Sequence, residues 1–433
     1  MSILNAMYAG ASGLDAESDA LGVIGNNVSN SNTVGFKESR AVFESVMGAA
    51  PGSADSIGSG VKMTSTQTDF TQGTLTTTGQ PTDLALQGDG FFVVNGNVNG
   101  VTGNFYTRDG QTHIDNTGTL VNSDGLALQG YQTLPDGTMS SQVGNITLST
   151  AALSPKPTDQ VNVTANLDAN ATPPTNPWDP TNPAATSNFS TTINVYDSLG
   201  NAHALDVYFT NTGANQWDYH VMANGSEVSG GTAGTAQEIG TGSLTFDSNG
   251  ALQSDSVSLP ATVTFNGATA QTIGVNLGTP ITPSGSGAAG TGLDGITQFG
   301  SASAVSAQSQ DGYGPGSLSG VQIGADGTVS GTYSNGQTIA VGQLAIAKFQ
   351  SNNGLAATGD NLFEATSASG DAALAAAGSG GRGSISSGSL EQSNVDIASQ
   401  FVDLIAHQRA FQASSKTITT ADQMLQDLMQ VVQ

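Results

Sequence analysis

Ile397, Leu404, Phe411, Ile418, Leu425 and Val432 fall seven residues apart towards the end of this 433-residue chain. That series narrows what the chain can fold into. A seven-residue apolar repeat keeps one seam of an α-helix turned towards a partner. Phe401, Ala421 and Leu428 widen the stripe, and Ser393 followed by Asp396 reads as a capping box at the helix start. A helix from Ile397 to Val432 would run about 54 Å at ~1.5 Å per residue. Burying six such side chains is worth roughly 9–18 kcal/mol before entropy is subtracted, and that gain requires a partner surface.

The N-terminal stretch carries a shorter stripe. Met7, Leu14, Leu21 and Val28 are again seven apart, with Ile3 and Ile24 beside the line, and the segment is expected to break at Gly25-Asn26-Asn27. Two such helices admit two readings: a hairpin within one chain, or packing between copies. The one-sidedness of the long helix favours copies.

Between the ends the chain reads as many short strands. Turn dipeptides such as Asp89-Gly90, Asn99-Gly100, Asp109-Gly110, Asp124-Gly125, Asp136-Gly137, Asn249-Gly250, Asn266-Gly267, Asp326-Gly327 and Asn335-Gly336 punctuate it, because Asn, Asp and Gly tolerate positive φ. Residues 168–187, rich in proline, and the Gly/Ser run 283–293 read as joints around a β-region starting near residue 150. Residues 48–60 read as another loop. The fold class expected is therefore α+β, mostly β, with long terminal helices and β-rich domains between them.

Composition removes several functions. Only 10% of residues are charged, against roughly 25% in ordinary soluble domains, and Ser, Thr, Asn, Gln and Gly supply the polarity. The net charge of −25 with nine basic residues speaks against nucleic acid and anionic membrane surfaces, which need clustered Lys and Arg. There is no cysteine, so disulfides and thiolate chemistry are excluded. No apolar run approaches a membrane span, and the first residues lack the basic start of a Sec signal peptide. The four histidines are scattered, without paired metal spacing. Asp109, Asp115 and Asp124 read as turn residues rather than a calcium ladder. No catalytic, cofactor-binding or metal residue is nominated, and an enzyme is not expected.

Residues 12–43, SGLDAESDALGVIGNNVSNSNTVGFKESRAVF, resemble the N-terminal signature of the flagellar rod, hook and hook-associated proteins, and residues 393–428 resemble its C-terminal counterpart. LALQGDGFFVV, YTRDGQTHIDNTGTLVNSDGLALQGY and SGSLEQSNVD resemble β-domain segments of rod and hook proteins. VYDSLGNAHALDVYF with WDYHV, and the stretch ITQFGSASAVSAQSQDGYGPGSLSGVQIGADGTVSGTYSNGQT, are similar to hook rather than rod members.

The resemblance implies a coiled-coil-like inner domain from residues 1–28 with 393–433, and a linking segment 29–79. It further implies an inner β-domain from 80–149 with 296–385, and a nested outer β-domain 150–295. It implies a structural subunit of a curved tube that bends while transmitting torque. The expected partners are further copies of the chain, the flagellar rod, the hook cap, the hook–filament junction proteins and the type III export gate, with the protein placed in the extracellular part of the flagellum. Phe43 and Met47 resemble the short export-gate recognition motif, although the same spacing is equally that of packing residues on one helix face. Other axial proteins, of the distal rod or the hook–filament junction, are the nearest alternative, and a secreted β-rich adhesin is a more distant one.

Overall fold

In the computed structural model, residues 3–47, 58–134, 137–148, 152–259, 261–283 and 288–431 are described. Val432, most of the 48–60 loop, Asp136 of one turn dipeptide and part of the 283–293 run lie outside them, as do the side chains of Ile3, Met47 and Leu428. The fold is mostly β with two long helices, α1 (Ile3–Ser29) and α2 (Ile397–Val431).

The chain divides into two compact units, the first comprising Met1–Thr150, Ser319–Thr332 and Thr338–Gln433, the second Ala151–Leu318 and Tyr333–Gln337. In the first unit a twelve-stranded sheet is centred on Phe91–Val98, Ala127–Thr133 and Thr338–Lys348. Its strands carry apolar residues towards a core in which Phe70, Phe91, Phe349 and Phe363 meet edge-on at 5.4–5.9 Å and Tyr106 meets Phe349 at 4.7 Å. Offset and edge-on contacts suit the ring quadrupoles.

The second unit contains a five-stranded antiparallel meander from Phe189 to Leu259 and a second five-stranded sheet built on Gln160–Asp168. Both contribute to one core, with Trp217, Phe209 and Phe246 from the meander and Val161, Val163 and Ile273 from the other sheet. The alternation of buried and partly exposed residues along Gln160–Asp168 is that of a strand covered more closely on one face.

Turn chemistry sets the hairpins. Val98 pairs with Val101 across Asn99-Gly100, where both turn residues take positive φ, 50° and 86°, as a two-residue loop of this type requires. Asp109-Gly110 behaves differently. Gly110 is not in the left-handed region; a Cβ there would collide with the Leu84 carbonyl. Gly110 is thus small because two backbones touch, with Leu84 N donating to Gly110 O at 2.9 Å.

Candidate assembly surface

α1 and α2 pack antiparallel. Asn27 Nδ2 donates to Gln400 Oε1 at 3.1 Å, and Glu17 Oε2 lies 2.5 Å from His407 Nδ1. Further along, a Cβ on Gly13 would sit 3.0 Å from Ser414 Oγ, and one on Gly10 2.9 Å from Ile418 Cγ1. Glycine at these two places lets the helix backbones approach.

On α2, the positions shielded from solvent, besides half-buried Ala410 and Ser415 at the edges of the line, are Gln400, Leu404, His407, Phe411, Ser414, Ile418, Ala421 and Leu425. Their spacing alternates four and three, the pattern of a helix seam. Leu404, Phe411, Ile418 and Leu425 are therefore half-buried in the single chain and Ala421 is buried, whereas Ile397 and Phe401 are exposed. On α1, Met7, Leu14, Leu21 and Val28 are half-buried and Ile24 is buried. Asn27, only 1% exposed, also brackets the backbone of Ser39, accepting from its N–H at 3.0 Å and donating to its carbonyl at 2.7 Å.

A second apolar face of α2 has no cover among the described residues. Ile397, Phe401, Val402 and Ile405 are 45–67% exposed, and their spacing of three and four keeps them together. Val402 and Ile405 lie off the seven-residue line and are invisible to it.

The start of α2 is capped by Asp396 rather than Ser393. Asp396 Oδ1 accepts the N–H of Ala398 at 2.9 Å, and Ser399 Oγ donates to its other oxygen at 3.2 Å. An N-cap side chain reaches the second or third helical N–H, which Ser393, four residues before Ile397, does not.

The segment after α1 forms a two-stranded ribbon, Ser39–Met47 with Gly58–Thr68. It lies along α1, where Val61 N donates to Ser12 Oγ at 3.2 Å. Phe43 is in this ribbon and its ring is 6.3 Å from that of His407. Phe43 and Met47 are thus strand residues, not residues of a helix face.

Where the two helices join the β-structure, a charge cluster is buried. Glu391, fully shielded, accepts from Lys37 Nζ at 2.6 Å, from Arg108 Nη1 at 3.2 Å and from the Gly73 N–H at 2.9 Å. Lys37 Nζ also donates to Thr71 O at 2.7 Å, and Arg108 Nη2 to Gly88 O at 2.8 Å. Burial pushes Lys37 and Arg108 below their ordinary values, and Glu391 opposes that. Asn394 adds a strap, accepting from Glu38 N at 2.8 Å and donating to Asp69 O at 2.9 Å.

The acidic turn residues are occupied locally. Asp115 Oδ1 accepts from the N–H groups of Thr117 and Thr119, both at 2.8 Å, and Asn122 Nδ2 donates to Asp124 at 3.1 Å. Asp109 accepts from Gln111 N at 2.9 Å, and its burial pushes it up to about 6. In the second unit His203 lies between Glu227 and Asp197, at 2.6 and 3.2 Å, stacked on Phe265. His220 is stacked under Trp178 at 3.9 Å and pairs with Glu238 at 2.6 Å. Among the described residues no group of three or more His, Cys, Asp or Glu is placed to hold a metal ion.

Four families match along the chain. Residues 7–37 match the flagella basal body rod protein family, and 85–151 the flagellar hook protein FlgE/F/G D1 domain. Residues 166–313 match the flagellar basal body protein FlaE D2 domain, and 386–431 the flagellar basal body rod FlgEFG protein C-terminal family. Flagellar hook protein FlgE of Salmonella typhimurium (strain LT2) is 37% identical over 424 residues, covering 96% of this chain and 98% of that protein. The chain belongs to the flagellar hook protein family. Flagellar hook protein FlgE of Escherichia coli (strain K12) is likewise 37% identical over 96% of this chain and 98% of its own. That of Borreliella burgdorferi is 34% identical over 99% and 100%. In fold, the chain is similar to the crystal structure of Helicobacter pylori flagellar hook protein FlgE2, with a TM-score of 0.50 at 16% identity over 72% of this chain and 98% of that one. The hook family is one of structural flagellar proteins.

Proposed function

We propose that this hook-family chain polymerises into a curved, flexible tube that acts as a universal joint, carrying torque from the flagellar rod to the filament. The observation that carries this reading is the uncovered face of α2. With α1 already seated on one side, Ile397, Phe401, Val402 and Ile405 still face water, and a second copy is the partner that a polymer supplies at every subunit. The terminal helices, residues 1–28 with 393–433, then form a coiled-coil-like inner wall, with 29–79 as the linking segment. Residues 80–149 with 296–385 form an inner β-domain, and 150–295 an outer one. Surfaces rich in small polar groups and poor in charge exchange hydrogen bonds as neighbouring subunits slide, which bending demands and an interlocked apolar core resists.

In this reading the chain leaves the cell by the flagellar type III route, with Phe43 and Met47 read by the export gate before folding. It meets the rod, the hook cap and the hook–filament junction proteins in the extracellular flagellum. The test is electron microscopy of the purified protein at high concentration, beside an Ile405→Asp variant. Short curved tubes from the wild type are expected. The variant is expected to keep the monomer's melting point, because Ile405 is exposed there, and to lose the tubes, because a carboxylate buried without a partner costs several kcal/mol. Absence of tubes from the wild type, or normal tubes from the variant, would overturn the reading.

A further inference from the structure

α2 carries two cations that its own chain leaves unanswered. Arg409 and Lys416 are exposed and seven residues apart, hence on one stripe of the helix. Among the described residues neither side chain forms an ion pair or hydrogen bond. Three and four residues away from them stand Ile405, Ala406, Gln412, Ala413, Thr419 and Thr420, so no carboxylate lies within intrahelical reach.

α1 has the opposite feature. Asp15 and Asp19 are exposed, unpaired among the described residues, and four apart. Like charges at that spacing destabilise an isolated helix. Glu17, between them in sequence, is instead turned inward onto His407.

The antiparallel pair fixes the levels of these charges. Glu17 meets His407 and Gly13 meets Ser414, so Arg409 stands at the level of Asp15 and Asp19, and Lys416 about one helical turn beyond Asp15. Within one chain the two sets do not meet. A neighbouring copy set beside the first with α2 against α1 brings them together.

We propose that Arg409 and Lys416 of one copy pair with Asp15 and Asp19 of the next, and so set the axial register of the terminal helices in the polymer. This rests on the proposed function. The occupant is a second copy because both complementary stripes lie on the same chain, with Arg409 at the level of Asp15 and Asp19 and Lys416 within about a turn of Asp15. Val402, seven residues before Arg409, continues the cationic stripe with apolar surface. The division of labour follows from physical chemistry: an exposed ion pair adds little affinity, but charge complementarity selects among registers and like-charge contacts penalise the wrong ones.

The experiment uses the full chain in three forms. The first is Arg409→Glu with Lys416→Glu, the second Asp15→Lys with Asp19→Lys, and the third all four changes together. Polymer is measured by sedimentation against concentration, with melting of the monomer alongside. Each reversed pair is expected to raise the critical concentration at least about tenfold without moving the monomer's melting point. The fourfold variant is expected to return it to within a few-fold of wild type. Wild-type assembly by either reversed pair, or a fourfold variant as poor as the worse of the two, overturns the pairing. A wild-type chain that never polymerises overturns the proposed function, and the pairing with it.

Discussion

Replacing Glu391 by alanine removes the carboxylate that holds both Lys37 and Arg108 in a fully shielded site. Each cation keeps one or more carbonyl partners, since Lys37 retains Thr71 O and Arg108 retains Gly88 O. Neither carbonyl supplies a negative charge, and the Gly73 N–H loses its acceptor as well. Breaking a buried ion pair from one side costs about 3–5 kcal/mol. In a unit of this size each kcal/mol moves the melting point by about 2–4 °C, so the expected fall is on the order of 10 °C. Calorimetry of the monomer reads the fall. Hydrogen exchange locates it: protection should drop around 36–39, 69–74 and 391–400, while the strands between 202 and 246, which have their own core, keep theirs. Replacing Lys37, Arg108 and Glu391 together by methionine should recover most of the loss, because desolvating three charges is itself costly. A fall of less than about 2 °C in Glu391→Ala would refute the reasoning, since it would mean the cations find water as easily as the carboxylate.

Asp109 gives a pH-dependent prediction. Its folded value of about 6 lies above its ordinary 3.8, so the folded state binds the extra proton. The stability this lends is complete below the ordinary value and is lost as pH rises through about 6, to the extent of 3 kcal/mol at most by the order of magnitude of the shift. Asp109→Asn, which keeps an acceptor for Gln111 N–H, should flatten the melting point between these pH values and raise it at neutral pH; an unchanged profile would count against the assignment. A glycine pair tests the helix contact. Gly10→Leu, facing Ile418 at close range, should destabilise the α1–α2 pair by about 1–3 kcal/mol, whereas Gly22→Ala, with open space around it, should gain up to about 1 kcal/mol, both read by circular dichroism melting of the monomer.

The helical ends and the β middle were legible because their periods differ. A stripe with a repeat of seven and a run of Asn-Gly and Asp-Gly turns are local signals, and turns such as Asn99-Gly100 adopt the positive φ that their composition implies. What the apolar stripe hides is its partner. The seam of α2 is completed by Gln400, His407 and Ser414, polar residues that no hydrophobic count selects. Phe43 and Met47 show a different ambiguity: a spacing of four places two residues on one face of a helix and equally on one face of a strand. The clamp at Glu391 was out of reach altogether, because Lys37 lies 354 residues away in sequence and only the folded chain brings the two together. The capping residue moved from Ser393 to Asp396 for a geometric reason, since the helix begins at Ile397 and a cap must directly precede it.

The uncovered face of α2 also bears on how the proposed polymer would hold its subunits. Ile397, Phe401, Val402 and Ile405 are each about half exposed, so burying what remains is worth roughly 3–6 kcal/mol per copy at the usual value for a large apolar side chain. Bringing two free molecules together costs at least about 4 kcal/mol in lost translation and rotation, and estimates reach well beyond that. One such contact therefore does not hold a pair together. A subunit arriving at the end of a tube meets several neighbours and loses its freedom once, while each further contact adds its own burial. The net charge of −25 works in the same direction, opposing chance pairs in solution. In the proposed tube, a face too weak to dimerise the chain would hold a subunit once the contact is repeated among several neighbours.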